Sequence, residues 1–281
     1  MAQRRGFTLV EILIALVIMG VVTGAVLRLL NTSQRLSRAQ AEQVTLQSNV
    51  RTGSLVVPNE LRELNTVLGS LDPTQNDVID ADPDAIEYRA MRGLGFVCEA
   101  PSATELRLAQ SSWTGLRAPD ATRDDLYLFI DGDEDDDGDD SWLQVDLTAV
   151  VDSDCGGAPA YRLTAAAFPA VPLNTPVRLF ELMRLELYAD VAGEWWLGAQ
   201  SVSGGEVAPQ PMLGPLTDAG FALEYLGSDG NPTADLTAIK SIRVTVRGLT
   251  DEAVRAGGSG AMGHPEEALV TQVLLRNSIR P

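Results

Sequence analysis

The chain has 281 residues, 45% of them hydrophobic and 21% charged, and its formal net charge is -18. This is the composition of a globular protein with a sizeable core, and it argues against wholesale disorder. The acidic excess argues against a direct nucleic-acid site, because phosphates would be repelled. Two cysteines, one histidine and one lysine leave little material for metal or acid–base chemistry, so we do not expect an enzyme.

The N-terminus joins a short basic stretch to a long apolar one. Arg4 and Arg5 precede Gly6, and a mainly apolar run follows from Phe7 to Leu27. As a helix this run would measure about 31 Å, enough to cross a hydrocarbon core of roughly 30 Å. Arginines before the run and an acidic body after it predict a single-pass membrane protein, with its N-terminus in the cytoplasm and its body outside.

Two ordinary interpretations of this segment each leave a feature unexplained. A secretory signal would place a small-residue cleavage site after the apolar run, but the LRLLNTSQRL stretch at its end contains no A-x-A site. An uncleaved anchor fits the length but does not explain Glu11. An unpaired carboxylate near the end of an apolar helix is energetically expensive and needs a partner or a route to the interface.

Residues 6–11 (GFTLVE), with basic residues before them and apolar ones after, resemble the type III signal of type IV pilins and pseudopilins. The resemblance implies that prepilin peptidase cuts between Gly6 and Phe7 and that Phe7 is then methylated. It also implies that Glu11 meets the N-terminal amine of a neighbouring subunit, which would neutralise two charges in an apolar bundle. A plain anchor with a snorkelling glutamate is the alternative.

The helix should continue beyond the membrane. Between Asn31 and about Asn65 the apolar residues recur three or four positions apart, which predicts an amphipathic helix. Gly53 and Pro58 are expected to bend or interrupt it. The apolar stripe must be buried, most simply against a sheet of the same chain.

After residue 70 the hydrophobic pattern changes to the alternation of β-strands, separated by turn signals. The predicted strands are 85–91, 104–109, 125–131, 142–151, 176–189, 194–200, 220–226, 239–248 and 268–276. The predicted fold is therefore α+β, with a long N-terminal helix packed on an antiparallel β-sheet head. The predicted segments are a leader at 1–6, a transmembrane or filament-core helix at 7–30, its amphipathic continuation at 31–68 and the head at 69–281.

The segment 131–140 (DGDEDDDGDD) is strongly acidic and begins a D-x-D-x-D-G pattern at Asp133. Carboxylates at alternate positions can converge on Ca²⁺, and eight of them in ten residues would repel one another without a cation. The predicted ligands are Asp133, Asp135, Asp137, Asp139, Ser141 and Gln144, the last where a bidentate glutamate is expected. The alternative is a solvated acidic turn.

Cys98 and Cys155 are the two cysteines, and the predicted topology places both outside the cytoplasm. An even number of cysteines in an oxidising compartment favours a disulfide. The alternative is two buried free thiols.

Three segments of the head, 88–101, 179–198 and 274–281, resemble the larger PilW-like minor pilins and, more distantly, the J-type minor pseudopilins of type II secretion. The resemblance implies a minor pilin at or near a filament tip. Its partners would be prepilin peptidase, other major and minor pilins or pseudopilins, and an inner-membrane assembly platform. The alternatives are a minor pseudopilin, or a calcium-dependent adhesin or DNA-uptake head on a pilin stalk. The protein would move from the inner membrane to a surface pilus or a periplasmic pseudopilus.

Overall fold

The computed structural model describes residues 8–67, 76–131, 140–255 and 262–276. The chain forms two compact units. The first contains residues 1–48 and 250–266, and the second contains residues 49–249 and 267–281.

One long helix, α1, runs from Leu9 to Arg62 and contributes to both units. It continues through Gly53 and Pro58, so the predicted interruption is wrong, and it ends before residue 68. A proline inside a helix removes one backbone hydrogen bond and strains the preceding turn. Burial of apolar side chains on either side outweighs that cost, because the stripe facing the sheet is fully enclosed at Val50, Val57 and Leu61.

The strands, in chain order, are β1 Val78–Ala81, β2 Ala85–Ser102, β3 Glu105–Ala109, β4 Thr114–Gly115, β5 Asp124–Ile130, β6 Ser141–Cys155, β7 Ala158–Ala165, β8 Pro176–Ala189, β9 Trp195–Ser201, β10 Gln210–Leu226, β11 Ser241–Leu249, β12 Val254–Arg255, β13 Met262–Gly263 and β14 Glu266–Leu274. Each predicted strand overlaps one of these, and the α+β class is confirmed. The strands β1, β4 and β7 and the short β12–β13 ladder were not predicted. The connection between β12 and β13, residues 256–261, lies outside the described residues.

Six strands close into a ring. The strands β2, β3, β7, β6, β5 and β8 pair antiparallel in that order, and β8 pairs back with β2. Closure is possible because β2 and β6 are long and change partner along their length, with register shifts near Val97 and Leu147. The ring encloses one apolar cluster: Val97, Leu106, Leu108, Leu126, Leu128, Leu147, Leu163, Ala165, Phe168, Val177 and Leu179.

The sheet extends from β8 through β9, β10 and β11 to β14, and the C-terminal part of α1 packs on β10 and β11. The contact is close at Gly53, where an added Cβ would clash with Leu213 and lie 3.3 Å from Cγ1 of Val246. A hydrogen bond of 3.0 Å from Nδ2 of Asn49 to the carbonyl oxygen of Gly214 fixes the same contact. A small residue in α1 therefore sets how near the helix lies to the sheet.

The structure contains the predicted disulfide between Cys98 and Cys155, whose Cα atoms are 6.2 Å apart. The bond joins β2 to the end of β6. Directly after Cys155, Gly156 and Gly157 form the turn into β7, with φ of 59° and 88°. Two successive positive φ angles are typical of a type I′ hairpin turn, which favours glycine. The disulfide thus links β2 to β6 beside a tight hairpin.

We expect Gly53→Val to destabilise the second unit by about 2 kcal/mol, because the new side chain overpacks the contact with Leu213 and Val246. Urea denaturation followed by tryptophan fluorescence measures the change. Leu55→Val is the control, since Leu55 is 59% exposed on the same helix and its replacement tests helix propensity alone. Equal denaturation midpoints for the two variants would contradict this packing.

Reducing the disulfide should lower the free energy of unfolding by about 4 kcal/mol, the chain-entropy value for a separation of 57 residues. The urea midpoint with and without reductant measures the loss. The double variant Cys98→Ser/Cys155→Ser should be as unstable as the reduced protein and insensitive to reductant. Two thiols open to alkylation in the native protein would disprove the bond.

Candidate functional site

Hydrogen bonds within the first turn of α1 hold the carboxylate of Glu11 in place. The backbone N–H and the hydroxyl of Thr8 both donate to Oε2 of Glu11, at 2.9 and 3.0 Å. In return the N–H of Glu11 donates to Oγ1 of Thr8 at 3.3 Å. This reciprocal pattern is a capping box, in which two groups at a helix N-terminus satisfy each other. The T-x-x-E spacing that signals a capping box is present in the sequence, but Glu11 was predicted only to pair with the amine of a neighbouring subunit or to snorkel, and not to cap the helix.

The capping box changes the energetics of a carboxylate in an apolar setting. The side chains around it, such as Leu9, Val10 and Ile12, are exposed within the chain. An apolar solvent would leave Glu11 without hydrogen bonds unless the protein supplied them. Thr8 supplies two of them, and the negative charge remains available to a cation from another molecule. The predicted cleavage residues Gly6 and Phe7 lie outside the described residues.

The apolar segment that follows Glu11 has no counterpart in the rest of the described chain. α1 is long and apolar enough to cross a membrane, and the side chains of its most apolar stretch are exposed. Exposed helix surface of this kind requires a lipid or protein environment, because contiguous apolar area is rarely left in water. The segment is therefore a transmembrane-capable anchor.

The predicted calcium ligands belong to the segment that connects β5 to β6 in the sequence and to the start of β6. Asp133, Asp135, Asp137 and Asp139 lie outside the described residues. Ser141 begins β6 and pairs with Ile130, so the two ends of the loop are adjacent. Gln144 lies inside β6, and its Oε1 accepts a hydrogen bond of 3.1 Å from the hydroxyl of Tyr127. Within the described ranges no group of three His, Cys, Asp or Glu side chains is arranged to hold a metal.

A buried ionic cluster lies beneath the C-terminal end of α1. The carboxylate of Glu181 on β8 accepts hydrogen bonds from Nε of Arg92 at 2.8 Å, Nη2 of Arg117 at 3.1 Å and the hydroxyl of Ser201. A second nitrogen of Arg92 binds Oε1 of Glu60 on α1 at 3.0 Å. Because one arginine contacts both carboxylates, it links the helix to the sheet.

The same cluster includes a second buried carboxylate. Arg117 donates to both oxygens of Asp124, at 2.7 and 2.6 Å. Burial raises the pKa of Glu181, but hydrogen bonds from Ser201, Arg92 and Arg117 outweigh it and hold the pKa below its usual value. Glu181 is therefore ionised at neutral pH, and arginine side chains contact both carboxylates. The cluster stabilises the packing of α1 on the sheet, and its carboxylates are already engaged by cations of the protein.

This cluster was not predicted from the sequence. Its members lie far apart in the chain, and Arg92 and Glu181 are 89 positions apart. Arg92 and Glu181 occur in strands whose apolar and polar side chains alternate as in any other strand, and no local motif marks the two residues. The only signal in the sequence is Glu181, a charged residue at a position of the predicted strand 176–189 where the alternation predicts burial.

Comparison with known proteins gives a match at the N-terminus. Residues 1–27 match the family model described as the prokaryotic N-terminal methylation motif. No curated protein and no solved structure is similar enough to the chain to give a match. The motif implies processing by prepilin peptidase and assembly with other pilins. The matching segment contains Thr8, Glu11 and the start of the transmembrane-capable helix, and the chain thus carries the N-terminal signal that is typical of type IV pilin-like proteins.

Proposed function

We propose that this chain is a minor pilin, a structural subunit that helps to assemble a type IV pilus and lies at or near its tip. The observation that supports this most directly is a methylation motif that leads into an exposed apolar helix, with Glu11 positioned in its first turn. Prepilin peptidase cuts between Gly6 and Phe7 and methylates Phe7. The helix then holds the head outside the cytoplasm until assembly.

Glu11 provides the driving interaction of assembly. In the unassembled subunit, Thr8 satisfies part of its hydrogen-bonding capacity but none of its charge. When helices stack, the methylated amine of Phe7 on a neighbouring subunit reaches the carboxylate, and two charges are neutralised in an apolar bundle. The pairing forms only when adjacent helices are in register, so it selects one stagger between subunits.

The size of the head supports the proposal that the chain is a minor pilin and not the main subunit of the shaft. Outside α1 the described chain forms a twelve-stranded sheet with a closed ring. A head of this size fits more easily at a filament end than in a tightly wound shaft. The same N-terminal signal serves type II secretion, so a minor pseudopilin is the second candidate. Gene deletion separates the candidates: loss of pili indicates assembly, loss of enzyme export indicates the pseudopilus, and loss of attachment or DNA uptake with intact pili indicates a binding head.

Mass spectrometry of the mature protein should show an N-terminus at methylated Phe7. The variants Glu11→Ala and Glu11→Gln should reach the membrane at normal levels but appear at least about tenfold less in sheared filaments, because the stacked helices retain an unpaired amine. Glu42→Gln is the control, since it removes a negative charge farther along the same helix and keeps an oxygen that can accept the hydrogen bond from the N–H of Glu252. A mature protein that begins at Met1, or normal incorporation of both Glu11 variants, would overturn the proposal.

We also propose that the β5–β6 loop binds Ca²⁺ through Asp133, Asp135 and Asp137. Pairing of Ile130 with Ser141 supports this, because it brings the two acidic flanks of the loop together. Calorimetric titration of the full chain in detergent should show saturable calcium binding in the micromolar to millimolar range. Asp135→Asn should abolish it, whereas Asp218→Asn, an exposed aspartate on β10, should not. Absence of heat at millimolar calcium would contradict the site.

A further inference from the structure

A single aspartate joins the segment that follows α1 to the first strands of the sheet. The N–H of Asp77 donates to the carbonyl oxygen of Asn65 at 2.8 Å, and Oδ2 of Asp77 accepts a hydrogen bond of 2.7 Å from the N–H of Asn65. The carbonyl oxygen of Asp77 accepts a further bond of 2.8 Å from the N–H of Arg89 on β2. Because Asp77 directly precedes β1, it connects the end of the helix to the sheet through both its backbone and its side chain.

The carboxyl group of Asp77 is buried without a contact ion pair. Asp77 is only 7% exposed, and among the described residues none places a cation within ion-pair distance of its carboxylate. Arg89 on β2 and Arg178 on β8 face it and attract it over a longer distance. Arg89 donates to the carbonyl oxygen of Asn76 at 2.6 Å, and the guanidinium of Arg178 lies 4.1 Å from the centre of the Trp142 ring. A negative charge on Asp77 is therefore desolvated and only partly compensated.

The other charges around this carboxyl group largely cancel. Asp77 and Arg178 line a cavity of about 460 Å³. Two more charged residues of its lining, Glu63 and Arg276, pair with each other at 3.5 Å. Asp125 on β5 faces the same arginine of β2 that attracts Asp77, so it offsets part of that attraction. The apolar part of the lining consists of Met91, Leu94 and Phe180.

We propose that Asp77 is a pH-sensitive clamp, which holds the end of α1 to the sheet more firmly in mildly acidic surroundings than at neutral pH. When Asp77 is protonated, it keeps its contacts with Asn65 and no charge is buried. When it is ionised, the cost of desolvating the charge favours opening of the junction to water. Burial raises the pKa of Asp77 from its usual value of 3.8 to about 6, while Asn65, Arg89 and Arg178 oppose the rise. The folded state therefore binds the proton more tightly than the unfolded chain, and its stability increases as the pH falls from 7 to 5.

The position of the clamp gives this pH dependence a mechanical consequence. A head outside the cytoplasm meets the pH of the surrounding medium, and the junction at Asp77 connects that head to the helix that carries it. Acidification then reduces how often the end of the helix separates from the sheet, because opening exposes a carboxyl group that is already neutral. The clamp does not depend on the proposed function, since all its residues belong to the folded second unit.

The test is urea denaturation of the full chain in detergent at pH 5 and at pH 7, for the wild type and for Asp77→Asn. Titration of Asp77 alone should make the folding equilibrium constant of the wild type about tenfold larger at pH 5 than at pH 7. Asp77→Asn should lose that tenfold difference, because asparagine does not titrate and keeps an oxygen that can accept the bond from Asn65. Asp218→Asn is the matched control, since Asp218 is exposed on β10, and it should keep the pH dependence of the wild type.

Carbon-13 NMR of the wild-type protein gives a second, direct measurement. The carboxyl carbon of Asp77 should titrate with a midpoint near pH 6, and exchange of the Asn65 amide, corrected for its intrinsic pH dependence, should be slower at pH 5 than at pH 7. A midpoint near pH 4, or an equal pH dependence of stability in Asp77→Asn and the wild type, would overturn the clamp while leaving the minor pilin intact. If Asp77→Asn does not fold at either pH, the titration of the wild type decides the question alone.

Discussion

The proposed assembly of this protein depends on one carboxylate placed at the start of an apolar helix. Glu11 is tolerated there because Thr8 donates two hydrogen bonds to it within the same turn. That local solution leaves the negative charge uncompensated, and in the proposed filament a cation from a neighbouring subunit compensates it. On that proposal, a residue that is costly in an isolated subunit becomes the reason for subunits to associate in one register.

The head is attached to this helix by packing and by buried charge. Gly53 allows α1 to approach β10 and β11, and Arg92 contacts both Glu60 on the helix and Glu181 on β8. Removing one partner of such a buried pair typically costs about 3 to 5 kcal/mol, because the remaining charge is left without compensation. Force transmitted along the helix would therefore reach the sheet through directional contacts as well as through apolar ones.

Several elements were predictable because their signals are local. The strand from 176 to 189 alternates over its whole length, and its bounds in the structure are the predicted ones. Other elements were missed for physical reasons. β7 carries small alanines at inward positions, so its alternation is weak, although the Gly156–Gly157 pair before it is a recognised hairpin signal. Pro58 was expected to interrupt α1, but burial of Val57 and Leu61 maintains the helix across it.

The sequence by itself determined the transmembrane-capable helix, the basic N-terminal stretch, the position of Glu11 and the α+β class, because each depends on residues that are adjacent or regularly spaced. Only the tertiary structure decided the closure of the six-stranded ring, the ionic cluster around Glu181 and the cavity that Asp77 and Arg178 line. Those features join residues that are far apart in the chain. Hydrophobic periodicity specifies which face of a strand is buried, but it does not specify which other strand covers that face.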